Sequence, residues 1–251
     1  MSVEVVPKRQ RVISFDTGWA NCSFAEVKYL LDTRRTLATA DGAETEETKH
    51  LELVRWSSTG ISDERCGQRC PSSAPDDSGV EVSAVRQTWL WLHDKFGDLG
   101  ASFNDEGVVL IERVCGVGVY NAVCLRVADV IMAFFQRNYP GCGIRMFAPN
   151  TRIAFTKKLV ASAAAAKPKT TARYNENKQR SVEAMDLLID SSTDMWKLYK
   201  WNKLSRAGKF KGIRNIICQV PPPLEHKYRG SDKKDDYAEA LLQALCWAST
   251  V

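Results

Sequence analysis

The chain has 251 residues, 44% of them hydrophobic and 26% charged, which suits a globular protein able to bury one large core or two small ones. Its longest apolar stretches, around Val108–Ile111 and Val127–Phe135, are too short or too interrupted by charge to span a bilayer. Net charge is +5 but uneven: Arg145 to Asp236 carries 20 Lys and Arg against 9 Asp and Glu, a local +11, while the remainder is at −6. Such asymmetry suggests a basic surface facing a polyanion.

The N-terminus, Met1–Arg11, is basic. It lacks the apolar run of a signal peptide and is too short and Ser-poor for a transit peptide, so no secretion is expected. Arg11–Gly18 reads as a short strand ending in Asp16 and Gly18. Phe24–Leu31 reads as a second strand, and Leu51–Trp56 alternates like a third, completing a meander. Between them, Asp32–His50 shows no apolar period and reads as a polar connection.

Ser57–Ser83 is rich in Ser, Gly, Pro and Asp and reads as a long loop. It holds Cys66 and Cys70, but no second Cys or His pair stands at zinc-finger spacing. Most of the eight cysteines are scattered, several in apolar runs, as free thiols of a reducing compartment tend to be. Ala84–Phe96 reads as a helix with Val85, Trp89, Leu92 and Phe96 on one face. Gly107–Glu112 is a continuous Val/Leu/Ile run typical of a buried central strand, and it stops on a carboxylate.

Tyr120–Asn138 reads as a long helix stopped by Pro140 and Gly141, and Gly143–Pro149 as a further strand. Lys157–Arg180 is basic and poor in large apolar residues, and Ser181–Asp190 restarts a helix. Met195–Gly230 reads as irregular, with a short strand at Ile213–Val220 and a stiff spacer at Pro221–Pro223. Its aromatics suit either base stacking or a satellite core. Gly230–Leu245 closes as a helix capped by Ser231 or Asp232, with Ala238, Leu241, Leu242 and Leu245 on one stripe. There is no internal repeat. The order β-β-β-α-β-α-β-α-α predicts an α/β fold with helices on a mixed sheet.

Three separated segments each deliver carboxylates at an element end: Asp16, Glu112, and Asp235, Asp236 and Glu239 at the start of the last helix. Acids favour helix N-termini for the macrodipole alone, but this set is denser than capping requires. Carboxylates gathered in one cleft repel unless cations neutralise them, and oxygen donors suit hard divalent ions such as Mg²⁺. Two such ions about 4 Å apart support phosphodiester displacement. Acids, metal and a basic surface bearing aromatics point to a nuclease.

Four stretches carry a resemblance: Phe15–Gly18 (Phe-Asp-Thr-Gly), Leu110–Arg113 (Leu-Ile-Glu-Arg), Lys178–Met185 and Lys233–Leu245. In this order and approximate spacing they resemble the RuvC-like Holliday-junction resolvases of the RNase H-type superfamily, and among them the poxvirus-type enzymes of large eukaryotic DNA viruses and their fungal mitochondrial relatives. The resemblance implies an RNase H-like mixed five-stranded sheet flanked by helices. It implies one nuclease domain over 11–251, with flexible insertions at 57–83 and 192–230 and a basic tail at 1–10. It makes Asp16, Glu112, Asp236 and Glu239 the ligands of Mg²⁺ or Mn²⁺, two ions per site, with Asp235 as helper and Lys178 (alternate, Arg180) assisting at the phosphate. Lys157, Lys158, Lys178, Arg180, Lys233 and Lys234 are then DNA contacts. The partners implied are four-way DNA junctions and a second copy of the chain, with no membrane and no small-molecule cofactor. Two opposed strands would be nicked to leave 5′-phosphate ends. An intracellular setting is implied, a viral replication site in cytoplasm or nucleus, with the mitochondrion second.

The chain also departs from that family. Glu239 stands where an Asp is common, and Val114–Gly118 replaces the polar, basic residues that follow the central Glu. The rival readings are a flap or duplex nuclease of the same fold, a non-catalytic DNA-binding protein, and an actin-like ATPase or sugar kinase. The last would need a second Asp-x-Gly phosphate loop and a Gly-rich adenosine segment, neither of which is present.

Overall fold

A computed structural model describes residues 3–6, 10–18, 21–39, 42–60, 78–113, 119–160, 170–190, 198–202 and 212–250. In chain order the elements are β1 (Val3–Val6), β2 (Arg11–Thr17), β3 (Asn21–Thr39), β4 (Gly42–Gly60), α1 (Ser78–Phe96), α2 (Ser102–Glu106), β5 (Gly107–Glu112), α3 (Val119–Asn138) and β6 (Gly143–Phe147). They continue as α4 (Pro149–Leu159), α5 (Thr170–Asp190), β7 (Leu198–Asn202), β8 (Gly212–Gln219), α6 (Pro222–Arg229) and α7 (Lys234–Ala248).

The strands form one mixed sheet in the order β6-β5-β2-β3-β4-β8-β7, and β1 lies along β3 end to end with β2. Within the run β4-β3-β2-β5-β6, β3 is antiparallel to β2 and β4, while β2, β5 and β6 are parallel. These five and β8 are strands expected from the sequence, and helices flank the sheet as expected. The sheet itself is larger than expected, with eight strands among the described residues.

Four readings need correction. Asp32–His50 is mostly not a connection: β3 and β4 run 19 residues each and pair out to Thr39 and Gly42. Thr33, Thr36, Thr39, Thr45 and Thr48 favour extended backbone, and β1 and β8 supply further ladder partners, so no apolar alternation is needed. Ser57–Gly60 belongs to β4 and Ser78–Ser83 to α1; 61–77, with Cys66 and Cys70, lies outside the described residues. Pro222 opens α6 rather than stiffening a spacer, because the first helical turn leaves N–H groups unpaired anyway. Further, α5 runs unbroken from Thr170, where a restart at Ser181 was expected.

Two cores sandwich the sheet, and strand alternation sorts residues between them. Val12, Val108 and Leu110 face the core shared with α4, α5 and α7. Ile13, Phe15, Val109 and Ile111 face the aromatic core under α1 and α3. There Phe15, Phe24, Phe96 and Phe135 meet at ring-centroid separations of 4.7–6.1 Å. The Tyr139 hydroxyl donates to the Phe96 carbonyl (2.6 Å) and accepts from the Leu99 amide (2.9 Å), closing that layer. On the same face Glu26 is fully buried between the guanidinium groups of Arg11 and Arg55. Gly107 begins β5 against Phe103, where a Cβ would meet the Phe103 carbonyl oxygen at 2.4 Å. No described helix is long and apolar enough to cross a membrane.

Candidate active site

The parallel β2–β5 register pairs Phe15 with Ile111, so the next rung brings Asp16 beside Glu112. Both share the parity of Val12 and Leu110 and therefore leave the sheet on the α4/α5/α7 side. The Thr17 hydroxyl donates to the Glu112 carbonyl (3.4 Å), tying the two strand ends together. α7 is buried from Asp236 to Ala248 all round, not along the single leucine stripe expected. Ser23, opposite Asp16 in the β2–β3 ladder, donates to the Asp236 carbonyl (2.7 Å), and Trp56 Nε1 to the Tyr237 carbonyl (2.8 Å). Gln243 Nε2 donates to the Phe15 carbonyl (3.3 Å). Two hydrogen bonds accepted by its first carbonyls and one donated by the Gln243 side chain thus hold α7 at the strand ends. The helix N-cap is Lys233 without a side-chain bond, while Ser231 Oγ accepts the Lys233 amide (3.0 Å) just upstream.

The acids fall into two linked groups. In the first, Asp16 and Glu112 are hydrogen-bonded to each other, and Glu112 and Glu239 share one guanidinium. Arg152 Nη2 donates to Glu112 Oε1 (3.1 Å) and Nη1 to Glu239 Oε1 (2.7 Å), and Ser181 Oγ lies 3.4 Å from both Nη1 and Glu239 Oε1. Desolvation, with the charges of Glu112 and Glu239, pushes the Asp16 carboxyl well above its usual range. Burial also acts to raise Glu112, but the hydrogen bond from Asp16 and the Arg152 charge outweigh it and hold Glu112 low. The proton of this pair therefore sits on Asp16. Glu239 is raised, first by burial and against the pull of Arg152.

In the second group, Lys178 on α5 is ion-paired with Asp235 and lies 3.8 Å from Asp236 Oδ1. Its charge also reaches Glu112 and Glu239, so it faces both groups. Desolvation and then the neighbouring Asp235 raise Asp236. Asp236 is 8% exposed, and its Oδ2 is buried without a hydrogen-bond partner.

The remaining basic positions spread outward. Arg180 pairs with Glu176 one turn back on α5, and Lys157 is exposed on α4. Lys233 is exposed, and Lys234 Nζ lies 5.8 Å from the centre of the Tyr228 ring. The side chain of Lys158 lies outside the described residues.

Arg152 and Ser181 had not been singled out from the sequence. A signal for Arg152 exists: it stands near the N-terminus of α4, where the helix dipole disfavours a cation, so another partner must hold it. For Ser181 the signal is its spacing, three residues after Lys178, which puts both on one face of α5.

No three His, Cys, Asp or Glu side chains among the described residues already enclose a metal position. The donor chemistry nonetheless fits a hard divalent ion: Asp16, Glu112, Asp236 and Glu239 offer only oxygens, and Asp236 Oδ2 is a buried acceptor still lacking a donor.

No family model matches the chain, and no curated protein matches it. Among solved structures, one of T. thermophilus RuvC in complex with Holliday junction substrate aligns over 96% of this chain and 94% of that one, at TM-score 0.39 and 9% identity.

Proposed function

We propose that the chain is a divalent-metal-dependent endonuclease that cuts branched DNA, with four-way junctions as its substrate. The observation that carries this reading is the convergence of Asp16, Glu112 and Glu239 from two parallel strands and a helix. Lys178 and the Asp235–Asp236 pair stand beside them. Mg²⁺ or Mn²⁺ bound there would supply charge for an attacking water and a departing oxygen. Asp16, Glu112 and Asp236 hold the ion in this reading; Lys178, already turned toward the acids, neutralises the scissile phosphate; Asp235 positions Lys178 through their ion pair. Lys157, Arg180, Lys233 and Lys234 orient the DNA backbone. A homodimer accords with a two-fold symmetric junction and would nick opposed strands to leave 5′-phosphate ends. Free thiols such as Cys22 and Cys218 accord with a reducing compartment.

The test is cleavage of a four-way junction, a flap and a linear duplex in Mg²⁺, by wild type, Asp16→Asn and Glu112→Gln. The expected result is preferential cutting of the junction by wild type, with binding but no cutting by either variant. Undiminished cutting by a variant removes that acid from the chemistry, and preference for the flap or duplex overturns the substrate assignment. One observation favours a second reading, a junction-binding protein without catalysis: the Arg152 guanidinium already neutralises Glu112 and Glu239. Binding without cutting by wild type in both Mg²⁺ and Mn²⁺ would establish it.

A further inference from the structure

Arg152 is the cation that the nuclease reading does not use. It is 5% exposed, and the carboxylates on either side of it, Glu112 and Glu239, are each 7% exposed. Its guanidinium cannot lose its proton in a protein, so it is a permanent charge among the acids. The planar fork reaches Glu112 Oε1 at 3.1 Å through one nitrogen, and Glu239 Oε1 at 2.7 Å and Ser181 Oγ at 3.4 Å through the other.

A two-ion site needs carboxylates on both sides of a pair of divalent charges about 4 Å apart. Here the gap between Glu112 and Glu239 is already bridged by a guanidinium. An ion entering it must either lie against that positive charge or strip a buried arginine of both its carboxylates. The other end of the site differs. Asp16 is hydrogen-bonded to Glu112 but not engaged by Arg152 in a hydrogen bond, and Asp236 keeps a buried oxygen with no partner.

We infer that Arg152 is a resident cation in the place of a second divalent ion. The chain then takes one divalent ion per site, held by Asp16 and Asp236 with Glu112, while Glu239 holds the arginine and not the metal. This rests on the nuclease reading above and replaces the two-ion expectation with a single ion plus a guanidinium.

The experiment counts ions directly. The full chain, stripped with EDTA, is titrated with Mn²⁺, and free Mn²⁺ is followed by electron paramagnetic resonance. Wild type should bind one ion per chain. Glu239→Gln should still bind one, with an affinity within about threefold of wild type. Arg152→Gln should bind two, and Mn²⁺ should raise its Tm more than that of wild type, because the ion restores the lost counter-charge. Two ions on wild type, loss of the ion from Glu239→Gln, or a count of one for a folded Arg152→Gln each overturn the inference. Should Arg152→Gln fail to fold, the wild-type and Glu239→Gln counts decide. Two ions on a wild type that cuts DNA overturn this inference alone. No ion on wild type overturns it together with the nuclease reading.

Discussion

Asp16 donates a hydrogen bond to Glu112 across the seam between two parallel strands, so that one proton serves two neighbouring carboxylates. The two acids then titrate in opposite senses. Desolvation first, and Glu112 second, raise Asp16; Glu112 is held low by Asp16 and Arg152 against its own burial.

This sets a pH dependence for the metal-free protein. Above the ordinary carboxylate pKa of about 3.9, folded Asp16 keeps a proton that the unfolded chain has released. Its stabilising contribution is therefore full at low pH and lost as pH rises through its raised value. Glu112 works the other way, contributing above the ordinary value and losing that as pH falls through its lowered one. In EDTA, the wild-type Tm should decline relative to Asp16→Asn as pH rises from the ordinary carboxylate range through the raised Asp16 value, because the Asn side chain keeps an N–H donor for Glu112 at every pH. Parallel Tm profiles for the two proteins would show that Asp16 does not hold the proton.

Lys178 is set by Asp235 to face the acids, so its loss should act on rate more than on affinity. Lys178→Ala should slow single-turnover cleavage by roughly 10²-fold while leaving junction binding nearly unchanged. Asp235→Asn, which frees the ammonium without removing it, should cost less. An unchanged rate in Lys178→Ala would take Lys178 out of the chemistry.

Lys157 is exposed beside the site, on the same helix as Arg152. As a phosphate contact it should contribute through counterion release. Lys157→Ala should therefore lower the slope of log affinity against log salt by about 1, uniformly across DNA sequences. A slope equal to that of wild type would place Lys157 off the DNA path.

Glu26 provides a test of the fold independent of the site. It is fully buried and ion-paired with Arg11 and Arg55, whose side chains are only partly buried. Removing its charge leaves two guanidinium groups without their carboxylate, though solvent screens part of the loss. Glu26→Gln should cost about 1–3 kcal/mol in denaturant unfolding. Metal binding should not change. A loss of Mn²⁺ binding in a folded Glu26→Gln would mean that the far face of the sheet shapes the site.

What the sequence disclosed follows from the range of the interactions involved. Glu112 was visible because a run of Val and Leu/Ile residues ends on a charge, a contrast confined to six residues. Asp16 was visible for the same reason at the end of β2. The long arm of β3 and β4 was hidden because its ladders are satisfied by β1 and β8, strands far off in sequence, and not by an apolar face of its own. Arg152 was hidden among the other cations of a basic region, and its partner Glu112 lies 40 residues away across a helix packing that no local period encodes. The burial of α7 on every side was likewise invisible, since the sequence marks one apolar stripe of Ala238, Leu241, Leu242 and Leu245, and the other sides, Gln243 included, are covered only where three helices and three strands close around the helix.

The way α7 is held has a consequence for synthesis. Asp16 and Glu112 are translated early and can pair as soon as β5 docks on β2. Residues 235–239 arrive more than a hundred residues later. Ser23, Trp56 and the Phe15 carbonyl, which secure α7, wait uncovered in the meantime. Contacts over such sequence distances form slowly, because long loops must close first. A ribosome-bound or proteolytically shortened chain without α7 would thus own a sheet with half a set of acids and an open apolar face. It would lack Asp236 and Glu239 and leave uncovered the apolar residues that α7 packs against, so the docking of this one helix completes the acid cluster and the core together.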